Sequence, residues 1–208
     1  MWRIIVVLAI GVVLAAGIPV LGGASDDLPA PTDAAYRVPA EMVEHTVTTQ
    51  VVAGGHEPLR RTRSELWLAG DRGHEIVTDA DTGAVIAETT AAGGEIRVYE
   101  PEQDRITVER HAGLPFASAA YEAAAQRDGL KSGRLRKVEE RGDDLVLRSR
   151  EGTVTVVDAR TYELLERRTT LPGAVQTETR TTELLPAGSP AVRLAMEHHA
   201  KAEVVRTR

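Results

Sequence analysis

The chain has 208 residues, with 25 lysines and arginines against 31 aspartates and glutamates, and a formal net charge of −6. An acidic chain without a dense basic stripe argues against nucleic-acid binding and against a polybasic membrane-binding patch. It contains no cysteine, which excludes disulfides and thiol-linked lipids, so stability must come from apolar burial and sheet hydrogen bonds.

The N-terminal segment 1–24 predicts export. A basic start at Arg3 precedes an almost wholly apolar run over 4–21, and small residues follow it up to Ala24. This pattern is typical of a secretory signal peptide cleaved after Ala24. An uncleaved membrane anchor is the alternative, because the run is close to the length that spans a bilayer. In both cases we expect an extracytoplasmic protein with a tether over 25–40 and one domain over 41–208.

Short alternating segments separated by turn residues fill most of that domain. The turn signals include Asp-Arg-Gly at 71–73, Asp-Thr-Gly at 81–83 and Pro-Gly at 172–173. These residues favour turns because Gly supplies positive φ, Pro fixes φ, and Asp bonds its own backbone. Regularly spaced strands of this kind predict a mainly β, antiparallel sandwich or barrel. Eleven strands are predicted, over 44–52, 60–69, 74–78, 84–90, 95–99, 105–110, 135–140, 144–150, 153–158, 162–171 and 175–184.

One alanine-rich insertion interrupts the strands. Segment 117–129 predicts a short helix with Gly129 just beyond its end and a shallow apolar stripe through Phe116, Ala120 and Ala124. The C-terminal segment 192–205 predicts a second helix with Ser189 as N-cap, and a final strand over 191–196 is the alternative.

Apolar residues alternate with polar ones along most strands, so each strand has one apolar side. Aromatic residues make up only 3% of the chain, which leaves few bulky side chains to fill the space under a covering helix. Whether that space is filled or remains as an aliphatic cavity stays open at this point. Trp67, on the opposite side of its strand from Leu66 and Leu68, predicts either core packing or an exposed contact for a partner.

The order of the segments resembles the LolA-like lipoprotein carriers, the N-terminal domain of RseB-type sigma-factor regulators and the LppX-like lipid carriers. The resemblance rests on a signal peptide, two long strands, the segment ELWLAGDRGHEIV, the hairpin EIRVYEPEQDRITVE, a helical insertion after GLPF, and EGTVTVVDARTYELLERRTTL. It implies an eleven-stranded antiparallel half-barrel (an α+β fold that is mainly β) with helices closing its mouth and acyl chains on its concave side. No motif in it identifies an individual binding residue.

The first functional hypothesis is therefore a non-catalytic carrier that binds a lipid or an acylated protein in an aliphatic cavity. The alternative is a regulator that senses the state of the envelope and contacts a membrane anti-sigma factor or another membrane protein. The predicted lining consists of aliphatic residues that alternate along five strands: Leu66, Leu68, Ile96, Val98, Ile106, Val108, Leu145, Leu147, Val154 and Val156.

Catalytic and metal-binding patterns are not found in the sequence. No Gly-x-Ser-x-Gly elbow, P-loop or dinucleotide fingerprint is present. His198 and His199 are adjacent and point apart on a helix or a strand, and the DADTG turn lacks the later ligands of a calcium loop. We expect no cofactor, no metal and no enzymatic activity.

Overall fold

The computed structural model describes residues 37–54, 60–111, 113–195 and 201–206. The predicted signal segment 1–24 and most of the predicted tether lie outside the described residues. Among the described elements, no helix is both long and apolar enough to cross a bilayer.

The described chain forms one open sheet of twelve strands with the order β12-β6-β5-β4-β3-β2-β1-β11-β10-β9-β8-β7. All neighbouring strands are antiparallel except β12, which runs parallel to β6. The strands are β1 (Met42–Gly54), β2 (Arg60–Ala69), β3 (Arg72–Asp79), β4 (Val85–Ala92), β5 (Glu95–Glu100), β6 (Arg105–Arg110), β7 (Leu135–Arg141), β8 (Asp144–Ser149), β9 (Val154–Asp158), β10 (Leu164–Leu171), β11 (Ala174–Pro186) and β12 (Glu203–Arg206).

The predicted antiparallel β architecture is confirmed, but the number of strands was wrong by one. The extra strand is β12, which lies in the region predicted as a C-terminal helix. Residues 191–195 are also not helical, and 196–200 lie outside the described residues. The helix prediction is therefore wrong at both of its described ends, because a pairing partner at the sheet edge stabilises a strand there.

Helix α1 (Ala119–Lys131) is the one α-helix of the described chain. The Ser118 side chain caps it by accepting the Tyr121 N–H. The helix continues past Gly129, and Gly133 (φ 73°) is the left-handed glycine beyond its end. A Cβ at Gly129 would lie 2.7 Å from Leu135 Cδ1, so this glycine permits close packing on the sheet and does not end the helix.

Cross-strand register assigns residues to the two sides of the sheet, because partners in neighbouring strands point to the same side. We call the side that carries Leu68, Glu44 and Leu147 the helix face, since α1 packs on it. We call the side that carries Trp67 and His74 the arm face. The described residues of the C-terminal arm, 187–195 and 201–206, follow β11, contact that face at Trp67 and His74, and reach the β6 edge.

Candidate functional site

Six of the ten predicted lining residues lie on the helix face. Leu66 pairs with Thr46 and Leu68 with Glu44, while register continues this side through β3 and β4 to β5. At the other end of the sheet, Leu147 pairs with Thr155 on the same side. The six residues are Leu66, Leu68, Ile96, Val98, Leu145 and Leu147.

The other four predicted lining residues lie on the arm face. Ile106 and Val108 pair with Tyr99 and Arg97, whereas Ile96 and Val98 pair with Glu109 and Thr107. Val154 and Val156 pair with Arg148 and Val146, on the side opposite to Leu147. The structure therefore does not bring Ile106, Val108, Val154 and Val156 to the same wall as the other six.

The six residues are further divided between two ends of the helix face. Leu145 and Leu147 belong to a closed core with Leu135 and Val157, and Leu130 of α1 packs against it. Leu147 and Val157 have no exposed surface. This end of the face is filled by the chain itself.

Residues from β2 to β5 form the other end, which we call the open wall: Leu66, Leu68, Val77, Ala87, Ala91, Ile96 and Val98. Leu66, Ile96 and Val98 remain half-buried. Helix α1 packs against β7 and β10, at the other end of the sheet. Leu68, Ala87 and Ala91 are buried, and register places the polar residues Glu75 and Thr89 on the same side among them. The open wall is therefore a mainly aliphatic, partly buried surface that lies away from the main packing contacts of α1.

Phe116 and the segment before α1 cover part of the open wall. A Cβ at Gly73 would lie 2.4 Å from Phe116 Cδ2, so the phenyl ring rests directly on the backbone of β3. Beside it is a cavity of about 110 Å³, lined among others by Val38, Leu114 and Phe116. The covering segment begins at Gly113, whose φ of 107° is accessible mainly to glycine.

A buried charged network separates the two ends. Arg180 of β11 donates to Glu122 of α1 and, at 2.9 Å, to Glu178. Arg167 of β10 lies 3.5 Å from Glu178. The Arg180 side chain is 13% exposed and that of Glu122 is 7% exposed, so α1 is attached to the sheet by largely desolvated charges.

Glu44 joins this network to the start of α1. Its Oε1 accepts the Ala119 N–H at 2.9 Å, which satisfies one of the free donors at a helix N-terminus. Burial raises the pKa of Glu44 to about 7, although the hydrogen bond from Ala119 opposes this. Burial also raises the pKa of Glu122. The predicted stripe through Ala120 and Ala124 was wrong, because Glu122, Ala123, Gln126 and Gly129 are the buried residues of the helix.

An aromatic stack occupies the arm face. The rings of His45, Trp67 and His74, on three adjacent strands, lie with centroids 4.9 and 5.6 Å apart. Trp67 is 3% exposed and His74 is fully buried, and His74 Nε2 lies 2.7 Å from Glu88 Oε1. Of the two expectations for Trp67, burial in packing is therefore confirmed.

Sequence reasoning did not identify the charged network or the histidines of the stack. The signal for the network is the segment TETRTTE in β11, whose residues are polar on both sides of the strand although the strand lies at the centre of the sheet. A central strand of this kind requires charged partners from elsewhere. Among the described residues, no group of three or more His, Cys, Asp or Glu side chains is arranged to hold a metal ion.

Comparisons with known proteins give matches in solved structures alone. No family model matches the chain, and no curated protein matches it. The chain is similar to a LolA superfamily protein from Nitrosomonas europaea, with 11% identity, a TM-score of 0.32 and coverage of 74% of this chain and 90% of that one. The sequence resemblance described above was to this same superfamily.

Two further solved structures are similar. A DUF1329 family protein from Desulfovibrio piger has 10% identity and a TM-score of 0.31, covering 79% of this chain and 92% of that one. A putative outer membrane lipoprotein-sorting protein domain from Vibrio parahaemolyticus has 12% identity and a TM-score of 0.31, covering 74% and 88%.

Proposed function

We propose that the chain is an extracytoplasmic, non-catalytic carrier that binds a lipid or the acyl chains of a lipid-modified protein on the open wall. The observation that supports this most directly is the difference in covering. Leu66, Ile96 and Val98 are half-buried aliphatic side chains at the end of the sheet away from β7 and β10, on which α1 packs.

Acyl chains bind such a surface because apolar area is removed from water, which stabilises the complex by about 0.8 kcal/mol for each buried methylene. The existing cavity of about 110 Å³ is smaller than the roughly 300–1,000 Å³ of a ligand pocket. Binding therefore requires the segment with Leu114 and Phe116 to move away from Gly73. The position of Gly113 at the start of that segment gives it a backbone pivot.

The proposal is tested with a fluorescent fatty acid, 11-dansylaminoundecanoic acid, titrated into the purified chain, together with native mass spectrometry for copurified lipid. Ile96→Asn should weaken probe binding about tenfold, since it puts a polar group on the wall. Ile106→Asn is the matched control, because Ile106 is also a half-buried isoleucine but lies on the arm face.

The expected result is saturable probe binding that Ile96→Asn weakens and Ile106→Asn leaves within about twofold of the parent chain. Equal losses in both variants would place the probe elsewhere. No saturable binding and no copurified lipid would overturn the carrier function itself.

A further inference from the structure

Backbone groups of the C-terminal arm bond the sheet at several places, as those of a peptide ligand would. Trp67 Nε1 donates to the Ala191 carbonyl at 3.1 Å, and His74 Nδ1 donates to the Arg193 carbonyl at 3.2 Å. The Glu203 N–H donates to the Asp104 carbonyl at 2.9 Å, and β12 then pairs with β6. Recognition through carbonyl and amide groups depends little on the sequence that is bound.

The last part of the arm is weakly attached. β12 has four residues and forms the one parallel pairing of the described sheet, and parallel pairs are slightly less stable per residue. Val204 is 56% exposed. Arg206 contacts Glu95 at 3.4 Å, but the Arg206 side chain is 67% exposed, so this ion pair contributes little.

The arm also leaves space unfilled beside it. A cavity of about 380 Å³ lies between the arm and the sheet, bounded by Ile76 and Val85, by His45 and Glu65, and by Ala191 of the arm. Val85 is 40% exposed. The arm contributes Pro190, Ala191 and Arg193 to the lining. Ala191 has the smallest of these side chains, so a longer aliphatic side chain at its position has room beside Ile76 and Val85.

We propose that the arm face and the β6 edge form a docking site for a segment of another protein. The segment adds to β6 as an edge strand and places an apolar side chain against Ile76 and Val85. The chain's own arm occupies the site when no partner is bound. β12 shows the chemistry of the occupant, because an extended backbone paired with β6 is what this edge binds in the isolated chain. The turn closed by the Val192 N–H and the Ser189 carbonyl presents the Ala191 carbonyl to Trp67.

The test uses the full chain and a fluorescein-labelled synthetic peptide with the sequence of residues 187–206, with fluorescence anisotropy as the readout. The native arm competes at a millimolar effective concentration. Glu203→Pro removes the N–H that bonds Asp104, so it should lower the apparent Kd of the peptide at least tenfold. Lys201→Ala is the matched control, since Lys201 is an exposed arm residue outside β12.

A second variant keeps the test independent of the effect of proline on folding. Ile106→Cys with Val204→Cys places two thiols at paired positions in a chain that has no other cysteine. Oxidation should fix the arm and abolish peptide binding, and reduction of the same sample should restore it. A peptide with Ala191→Leu should bind about tenfold more tightly than the parent peptide, because the added methylenes fill the cavity.

These outcomes decide the proposal. Peptide binding that is the same in oxidised and reduced samples, and unchanged by Glu203→Pro, would show that β12 is a permanent strand and would overturn it. A concentration-dependent dimer of the Glu203→Pro chain that binds no peptide would assign the site to the arm of a second copy, which also overturns it.

Discussion

At the β7–β10 end of the helix face, Leu147 and Val157 are fully buried under α1, whereas at the β2–β5 end Leu66 and Ile96 stay half-buried. One sheet thus has an end that is closed by its own side chains and an end that is covered by Phe116 and a loop. The side chains that stabilise the fold and the side chains that leave space for a ligand therefore lie at different ends of the sheet. Movement over the open wall need not disturb the closed core.

The charged network with Arg180 lies between these two ends and attaches α1. Replacing Arg180 by Ala should lower the free energy of unfolding by about 3–5 kcal/mol, because Glu122 is left buried without the guanidinium that bonds it, while Glu178 keeps only Arg167. Urea denaturation measures this. Arg97→Ala is the control, since the contact of Arg97 with Glu95 is exposed. The change in the free energy of unfolding of this variant should fall within experimental error. Equal effects of the two variants would show that charge does not hold α1 in place.

The closed core and the open wall should respond differently to the same truncation. Leu147→Ala should lower the free energy of unfolding by about 2–5 kcal/mol, as expected for a fully buried leucine. Leu66→Ala should lower the free energy of unfolding by clearly less, because part of the Leu66 side chain already contacts water. Equal losses in urea denaturation would contradict the division of the helix face into a filled end and an open end.

Glu44 makes the attachment of α1 sensitive to pH. Its pKa is raised from 4.5 to about 7 by burial, so the folded chain keeps this proton when the unfolded chain has lost it. The stability contributed by the neutral carboxyl is fully present below pH 4.5 and is lost as the pH rises through 7. The loss is on the order of 3 kcal/mol.

Glu44→Gln should reduce this pH dependence, since an amide accepts the Ala119 N–H without titrating. Free energies of unfolding of both chains, measured between pH 4.5 and pH 8, provide the check. Parallel curves for the parent and the variant would mean that Glu44 ionises in the folded chain as it does in the unfolded chain.

Alternation within each strand predicted the β architecture and showed correctly that Leu66 shares a side with Leu68, and Ile106 with Val108. It did not show which side of the sheet each pair occupies. That depends on register, which is set by turn geometry and bulges such as the one between Leu164 and Glu166. For this reason Ile106 and Val154 were grouped with residues of the opposite face.

The charged network was not identified for a different reason, because the polar segment of β11 signals buried charge only when β11 is known to lie at the centre of the sheet. Glu122 and Arg180 are far apart in the chain, and each belongs to a segment that reads as solvent-exposed. Only packing of α1 onto β11 makes both side chains buried and mutually dependent. The arm was missed because its local pattern suits a helix, while its actual partners, Trp67 and β6, lie in distant strands.

The position of β1 beside β11 sets the order in which the sheet can be completed. Met42 pairs with Pro186, so the first strand of the sheet acquires its second neighbour only after almost all of the chain is available. The segments β2–β6 and β7–β10 each consist of neighbouring hairpins with short loops, which close early because they are local. We expect two separate meanders to form first and a slow, long-range joining step at the centre to complete the fold.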